Sequence, residues 1–234
     1  MIIGSGLVAK AFMSSFERSN HRWIYAAGVS NSDCLDPYEF ARERRRLKEA
    51  LQAGSEAQFF VYFSTCSVAD LQARSTEYVR HKIAMEELVS QHPNHLVVRF
   101  PQLAGRTPNP HTLLNFLYAR IARSERFRLL KHSVRNILDV DDAACIVKAL
   151  IDDRQFRRRT VNVANPVSSP IVEIVAVMEK IIGKPAVMDE INDGSAYDID
   201  TTQIAPIVGK LGLSFDPSYL VRVLEKYYGG RGAL

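Results

Sequence analysis

An α/β fold built on a doubly wound parallel sheet is the class this sequence predicts, and three observations predict it. Short apolar runs alternate with helical stretches along most of the 234 residues, the pattern of successive βα units. One run, QFFVYF at 58–63, is aromatic and β-branched with no polar alternation, as a strand buried on both faces requires. The chain also opens IIGSGLVAKAF, where two apolar residues feed a glycine turn and the turn feeds a helix. The G-x-G-x-x-A spacing of Gly4, Gly6 and Ala9 suits a phosphate-holding loop or a tight corner, and the rest of the chain must decide between them.

Taken in order, residues 1–3 end a first strand and residues 7–18 form a helix. RWIYAAGV at 22–29 is a second strand, closed by the turn-prone SNSD. PYEFARERRRLKEALQA at 37–53 is a helix whose proline suits the first turn. After the buried strand at 58–63 come a helix at 77–90, a strand at 95–100 (HLVVRF) and a Pro-rich connection at 101–110. Then come a helix at 113–124, a short strand at 136–140, a helix at 141–153 and a last core strand at 160–164 (TVNVA). From Pro166 onward a helix, a Gly-Lys-Pro break, a loop and a terminal helix at 219–227 form a smaller lobe over the sheet. No internal repeat or low-complexity segment interrupts this order.

Composition narrows the partners. With 47% hydrophobic and 24% charged residues the chain has a globular profile, and no apolar run is long enough to span a bilayer. No signal peptide precedes the glycines and the three cysteines (Cys34, Cys66, Cys145) are scattered, so a cytoplasmic protein with reduced thiols and no membrane partner is expected. The net charge of +4 gathers in RERRR (42–46) and RQFRRR (154–159). Neither cluster is interleaved with stacking aromatics or set in a reading motif, so solvated faces or a rim attracting phosphate-bearing substrates are expected rather than nucleic-acid binding. The six histidines show no paired spacing for a metal, and no metal is expected.

Two features carry chemistry. Glycines at 4 and 6 would let the backbone approach a pyrophosphate, and Ala9 permits close helix–strand packing. A dinucleotide loop ordinarily has an acidic residue about twenty positions on to hold the adenosine ribose. Here that region reads HRWIYAAGVSNS, with no carboxylate until Asp33, and one or two βα units are missing before QFFVYF. The second feature is STEYVRHKIAMEELV, where Tyr78 and Lys82 stand four apart and share one face of a helix. A phenol with an ordinary pKa of about 10 becomes a useful acid–base group when a neighbouring ammonium favours its ionised form.

Around this pair stand FSTCSV (63–68), LVVRFPQLAGR (96–106), RNILDVDDAACIV (135–147) and VNVANPVSSPIVEIVAVMEKIIGK (161–184). The ordered set resembles the extended short-chain dehydrogenase/reductases, in particular the NAD-dependent epimerase/dehydratase family acting on nucleotide sugars, over residues 2–228. The resemblance implies a Rossmann-like core, shortened in its first half, over 1–107 and 134–165, with a substrate-binding lobe over 108–133 and 166–234. It places Gly4, Gly6 and Ala9 on the pyrophosphate of NAD or NADP, and Ala26, Ala27 and Gly28 along the cofactor. Thr65, Tyr78 and Lys82 would be the catalytic set, with Tyr78 the general acid or base and Lys82 holding the nicotinamide ribose. Arg135 matches an arginine that reaches the substrate diphosphate, a task suited to a bidentate guanidinium. Glu86, Asp141 and Asp142 are read as structural, the two aspartates as helix caps, and His81 is given no role.

The departures are informative too. Ile3 replaces the first glycine of the family's three-glycine loop. Gln102 replaces a substrate-contacting asparagine. Cys66 and Ser67 stand where dehydratases carry an Asp-Glu pair, which argues against elimination of water. Expected, then, is an NAD(P)-dependent reductase or epimerase of a nucleotide-linked sugar, serving surface polysaccharide or a related glycoside. The alternative is a non-catalytic dinucleotide sensor or partner protein of the same fold. Helices after the second and third strands pair subunits in this family, so a homodimer is compatible, although RERRR on one of them would repel its own copy.

Overall fold

The computed structural model describes residues 1–13, 21–54 and 58–230. Its first half alternates strand and helix: β1 (Ile2–Ile3), α1 (Leu7–Met13), β2 (Arg22–Tyr25), α2 (Pro37–Ala53), β3 (Phe59–Thr65), α3 (Glu77–Ser90) and β4 (His95–Phe100). Next are β5 (Gln102–Ala104), α4 (Leu113–Ala122), β6 (Phe127–Leu130), β7 (Val134–Arg135), β8 (Ile137–Asp139), α5 (Val140–Asp152) and β9 (Arg159–Asn162). The C-terminal part contains β10 (Ser169–Pro170), α6 (Ile171–Ile182), β11 (Met188–Ile191), α7 (Ala205–Leu211) and α8 (Tyr219–Tyr228).

Five strands form one parallel sheet in the order β1-β2-β3-β4-β9. All of β3 is buried, and its side chains alternate between two cores, as the unbroken apolar run predicts. Val61 and Phe63 pack with Ile24, Leu96 and Val98 on the face covered by Phe12 of α1 and by α5. Phe60 and Tyr62 pack with Tyr25 and Val97 on the other face, against Leu47 and Ala50 of α2 and Met85 and Val89 of α3. Helices thus cover both faces, and the sheet is doubly wound.

The topology shows what is missing. Stepping from β1 to β2, to β3 and to β4 moves across the sheet in one direction, yet α1 lies on the face opposite α2 and α3. The β1-α1-β2 crossover therefore has the opposite hand to the two after it, against the usual uniformity of such units. A doubly wound nucleotide sheet ordinarily runs 3-2-1-4-5-6, with its first strand internal. Leaving out the second and third strands, while α1 keeps its face, turns that first strand into an edge. This is the shortened first half that the sequence foretells.

Boundaries differ in places for local reasons. The strand expected over 22–29 stops at Tyr25, because Ala26 makes a last bond to Ile3 O (2.7 Å) and the chain then leaves the sheet. Of the helix expected over 7–18, residues 7–13 are helical and residues 14–18 lie outside the described residues. Asp141 and Asp142 are expected to cap α5, but the cap is the buried Asp139, whose carboxylate accepts the Asp141 N–H at 2.8 Å. Asp139 also accepts from Lys226 Nζ (2.7 Å) and the Tyr227 hydroxyl (2.8 Å), and Tyr219 donates to Asp142 at 2.7 Å. These bonds fasten α8 to the start of α5. Among the described residues no helix is long and apolar enough to cross a membrane.

Candidate active site

The C-terminal ends of β1, β2 and β3 open into a cleft of about 1130 Å³, lined by the glycine loop at one side and by Arg128, Arg135 and Tyr197 at another. The two loop glycines do different work. Gly4 has φ +136°, and a Cβ there would lie 2.2 Å from the Ala26 carbonyl oxygen, so the approach of β1 to β2 requires glycine. A Cβ on Gly6 would meet nothing within 4 Å, although Gly6 lines the cleft. Gly4 is thus the tight corner, and Gly6 leaves free backbone facing the cleft. Ala9 is wholly buried where α1 packs on the sheet. Ala26, Ala27 and Gly28 leave the end of β2 and line the same cleft.

Thr65 is the last residue of β3, and Tyr78 lies in the first turn of α3, which Thr76 caps by accepting the Val79 N–H at 3.3 Å. Both side chains line the cleft. Thr65 also donates to Ser67 Oγ and accepts the Ser67 N–H, each at 3.1 Å. One helical turn after Tyr78, Lys82 sets its Nζ 5.9 Å from the Tyr78 ring centroid. The three residues foreseen from the sequence therefore meet in one place.

Their electrostatics differ from expectation, because the Lys82 ammonium is already engaged. It donates to Glu43 Oε1 at 3.1 Å and to the Tyr62 hydroxyl at 3.3 Å, and only 3% of Lys82 is exposed. Glu43, a wholly buried carboxylate on α2, also accepts from Tyr62 (2.7 Å) and the Val29 N–H (2.7 Å), and lies 3.0 Å from His81 Nε2. Burial alone would raise the Glu43 pKa, but the Lys82 charge and these hydrogen bonds hold it at about 2. Burial raises the Tyr78 pKa well above that of a free phenol, the Glu43 charge adds to this, and the neighbouring Thr65 hydroxyl opposes it. The expected lowering by Lys82 is therefore offset by its buried counter-ion, and Tyr78 is held as a protonated phenol. Gly28 is tied to this cluster: a Cβ there would come within 2.6 Å of Lys82 Nζ and 2.8 Å of Glu43 Oε1.

Glu43 and Tyr197 escape the sequence reading, and His81 gains a structural role that its spacing does not reveal. A signal for Glu43 exists: with Phe40, Leu47 and Ala50 it falls on the inward stripe of α2, but the surrounding arginines make the segment read as a solvated face. Tyr197 lies in the irregular stretch after β11 and lines the cleft beside Ser67, and burial raises its pKa. Across the cleft Arg135 is half-buried and donates through Nη1 to the carbonyls of Val134 (2.9 Å) and Ser195 (3.2 Å). Gln102 lines the cleft as well. Cys66 donates its thiol to Arg99 O at 3.3 Å, and burial pushes the thiol up to about 12. Glu86 forms a two-point ion pair with Arg99 (2.9 and 2.6 Å), a packing role. Ser64, also at the cleft, has a buried hydroxyl with no partner among the described residues. Bare backbone at Gly6 and this hydroxyl fit a polar ligand lying along the strand ends.

No family model matches the chain, and no curated protein sequence matches it. Solved structures do. RMD from Pseudomonas aeruginosa complexed with NADPH superposes with a TM-score of 0.71 at 16% identity, covering 97% of each chain. UDP-glucuronic acid 4-epimerase from Bacillus cereus, in complex with UDP-glucuronic acid and NAD, gives 0.70 at 17% identity, over 89% of this chain and 74% of that one. dTDP-glucose 4,6-dehydratase from Bacillus anthracis in complex with NAD gives 0.66 at 15% identity, over 88% and 72%. At these identities the likeness establishes the fold alone, a Rossmann-like α/β architecture shared with these enzymes.

Proposed function

We propose that the protein is an NAD(P)-dependent oxidoreductase acting on a keto group of a nucleotide-linked sugar, with reduction as its principal direction. The observation that carries this is the convergence of Thr65, Tyr78 and Lys82 on one cleft that also holds the glycine loop and Arg135. When bound, the nicotinamide supplies or accepts hydride at the substrate carbon. Gly6 and the 26–28 segment would hold that cofactor, and Lys82 would meet its ribose. Thr65 and Tyr78 would both face the substrate oxygen, Thr65 orienting it by a hydrogen bond. Tyr78 would give its hydroxyl proton to the substrate oxygen as negative charge develops there. A phenol held protonated is the right form for this step. Arg135 would bind diphosphate oxygens of the substrate, and Gln102 would contact the sugar.

Epimerisation uses the same groups, run once as oxidation and once as reduction, and belongs to the same proposal. Elimination of water does not, because neither the Cys66 thiol, whose pKa burial raises to about 12, nor Ser67 replaces a carboxylate pair. RMD and the epimerase and dehydratase above, crystallised with NADPH or NAD, support the general kind of chemistry. The test mixes purified protein with NADPH or NADH, follows nicotinamide fluorescence, and then measures turnover of UDP- and dTDP-linked keto-sugars. A second reading, a dinucleotide sensor or partner protein without turnover, is favoured by the edge position of β1. Calorimetry separates the two: cofactor binding with no turnover of any keto-sugar supports the sensor, and no binding of either cofactor supports the partner protein.

A further inference from the structure

The open side of the sheet raises a question that the catalytic groups do not answer: what would hold the adenosine end of a dinucleotide. In the ordinary sheet a carboxylate beyond the first strand binds the ribose 2′-hydroxyl, or an arginine there takes a 2′-phosphate. Here β1 is the edge, and those strands are absent. Asp33 is the one carboxylate among the described residues lining the cleft, and it is exposed.

Among the cationic residues that line it, two come from α2. Arg42 and Arg46 stand four apart on α2, so they share a face, and both border the cleft together with the glycine loop. The Tyr25 hydroxyl donates to the carbonyl of Glu43, between them on α2, at 3.3 Å, and the register partner of Tyr25 is Ile3, the residue before Gly4. Arg42 pairs with Glu39 at 2.5 Å, an exposed i,i+3 contact that a phosphate can displace at small cost. Arg46 has no ion pair among the described residues. Glu43, between them in sequence, does not neutralise them, because it is turned inward and held by Lys82, His81 and Tyr62.

We propose that Arg42 and Arg46 form a phosphate site for the adenosine 2′-phosphate, replacing the missing strand-borne ribose contact and selecting NADP over NAD. This rests on the cofactor-binding reading above. A 2′-phosphomonoester carries nearly two charges and three acceptor oxygens, which two exposed guanidiniums can grip bidentately, whereas a bare 2′-hydroxyl offers them one uncharged acceptor. The arrangement also gives a purpose to the basic run on α2, which as a mere solvated face would have no reason to border the cleft.

The experiment is a fluorescence titration of the full chain with NADPH and with NADH, repeated for Arg42→Ala and Arg46→Ala, with 2′,5′-ADP and 5′-ADP as competitors. NADPH is expected to bind at least about tenfold tighter than NADH, and 2′,5′-ADP to compete better than 5′-ADP. Each substitution should remove most of that preference while NADH affinity changes less than about twofold, and added salt should shrink the preference. Both side chains are exposed, so circular dichroism should be unchanged in the variants. Equal binding of NADPH and NADH overturns the phosphate site and leaves the cofactor reading standing. Equal weakening of both cofactors by Arg46→Ala also overturns it, placing the arginine on the shared pyrophosphate. Binding of neither cofactor overturns the cofactor reading and the phosphate site with it.

Discussion

The two ends of the cleft are built in opposite ways. At the chemical end Tyr78, Lys82 and Glu43 are 9%, 3% and 0% exposed, and hydrogen bonds of the latter two join α2, α3 and β3. At the nucleotide end the sheet stops at a two-residue edge strand, and the nearest charges, Arg42 and Arg46, reach out from an exposed helix face. With β1 as the edge no strand lies beyond the glycine loop, while the packing around the phenol is complete. The chemical end should therefore report damage as lost turnover or stability, and the nucleotide end as lost affinity.

The most severe challenge to this division is Tyr78→Phe. The ring keeps its packing and only the acid is lost, so keto-sugar turnover should fall by about 10²–10⁴-fold while cofactor titration and thermal unfolding stay near wild type. Turnover that survives removes Tyr78 from the mechanism. Next comes Glu43→Gln, which leaves the Lys82 ammonium buried without its counter-ion. Stability in urea should drop by about 3–5 kcal/mol, because an uncompensated buried charge is strongly destabilising. A loss under about 1 kcal/mol would mean that Lys82 finds water, and that the chemical end is more open than its burial indicates.

Acid probes the same pair with a smaller effect. The Glu43 pKa is about 2 in the folded protein against 4.5 for the free side chain. The lowered folded value means that its contribution is fully present above about pH 4.5 and is lost as pH falls toward 2. The linkage amounts to up to about 3 kcal/mol. Urea unfolding of wild type should lose this stability progressively between about pH 5 and 2, and the Gln variant should lack that part of the slope. Parallel slopes would show that Glu43 is not held ionised by Lys82.

How far these features are legible in the sequence obeys the same division. The helices at 37–53 and 77–90 and the strand at 95–100 fall where periodicity puts them, because each buries a regular stripe or run. β11 and α7 go unseen, since MDEI is half-exposed and polar and APIVGKL carries both proline and glycine. The Tyr78–Lys82 spacing lies within one helix, so it shows in sequence; their meeting with Thr65 comes from the end of one strand. The Lys82–Glu43 pair joins helices 39 residues apart and leaves no local trace. The edge position of β1 is a property of pairing order, and only the shortness of the first half hints at it.

The smallest effect on the fold tests the nucleotide end most directly, through two glycines two residues apart. Gly4→Ala puts a methyl 2.2 Å from the Ala26 carbonyl oxygen at a φ of +136°, so the β1–β2 approach must yield and stability should fall by several kcal/mol. Gly6→Ala meets no protein atom within 4 Å, and its backbone is outside the left-handed region, so unfolding should stay within about 1 kcal/mol of wild type and even rise slightly. If the loop holds a pyrophosphate, that methyl intrudes on the ligand alone, and NADPH affinity should fall about tenfold or more with the fold intact. If NADPH binds Gly6→Ala as well as wild type, the loop is a corner and nothing more, and the cofactor must be held by contacts elsewhere in the cleft.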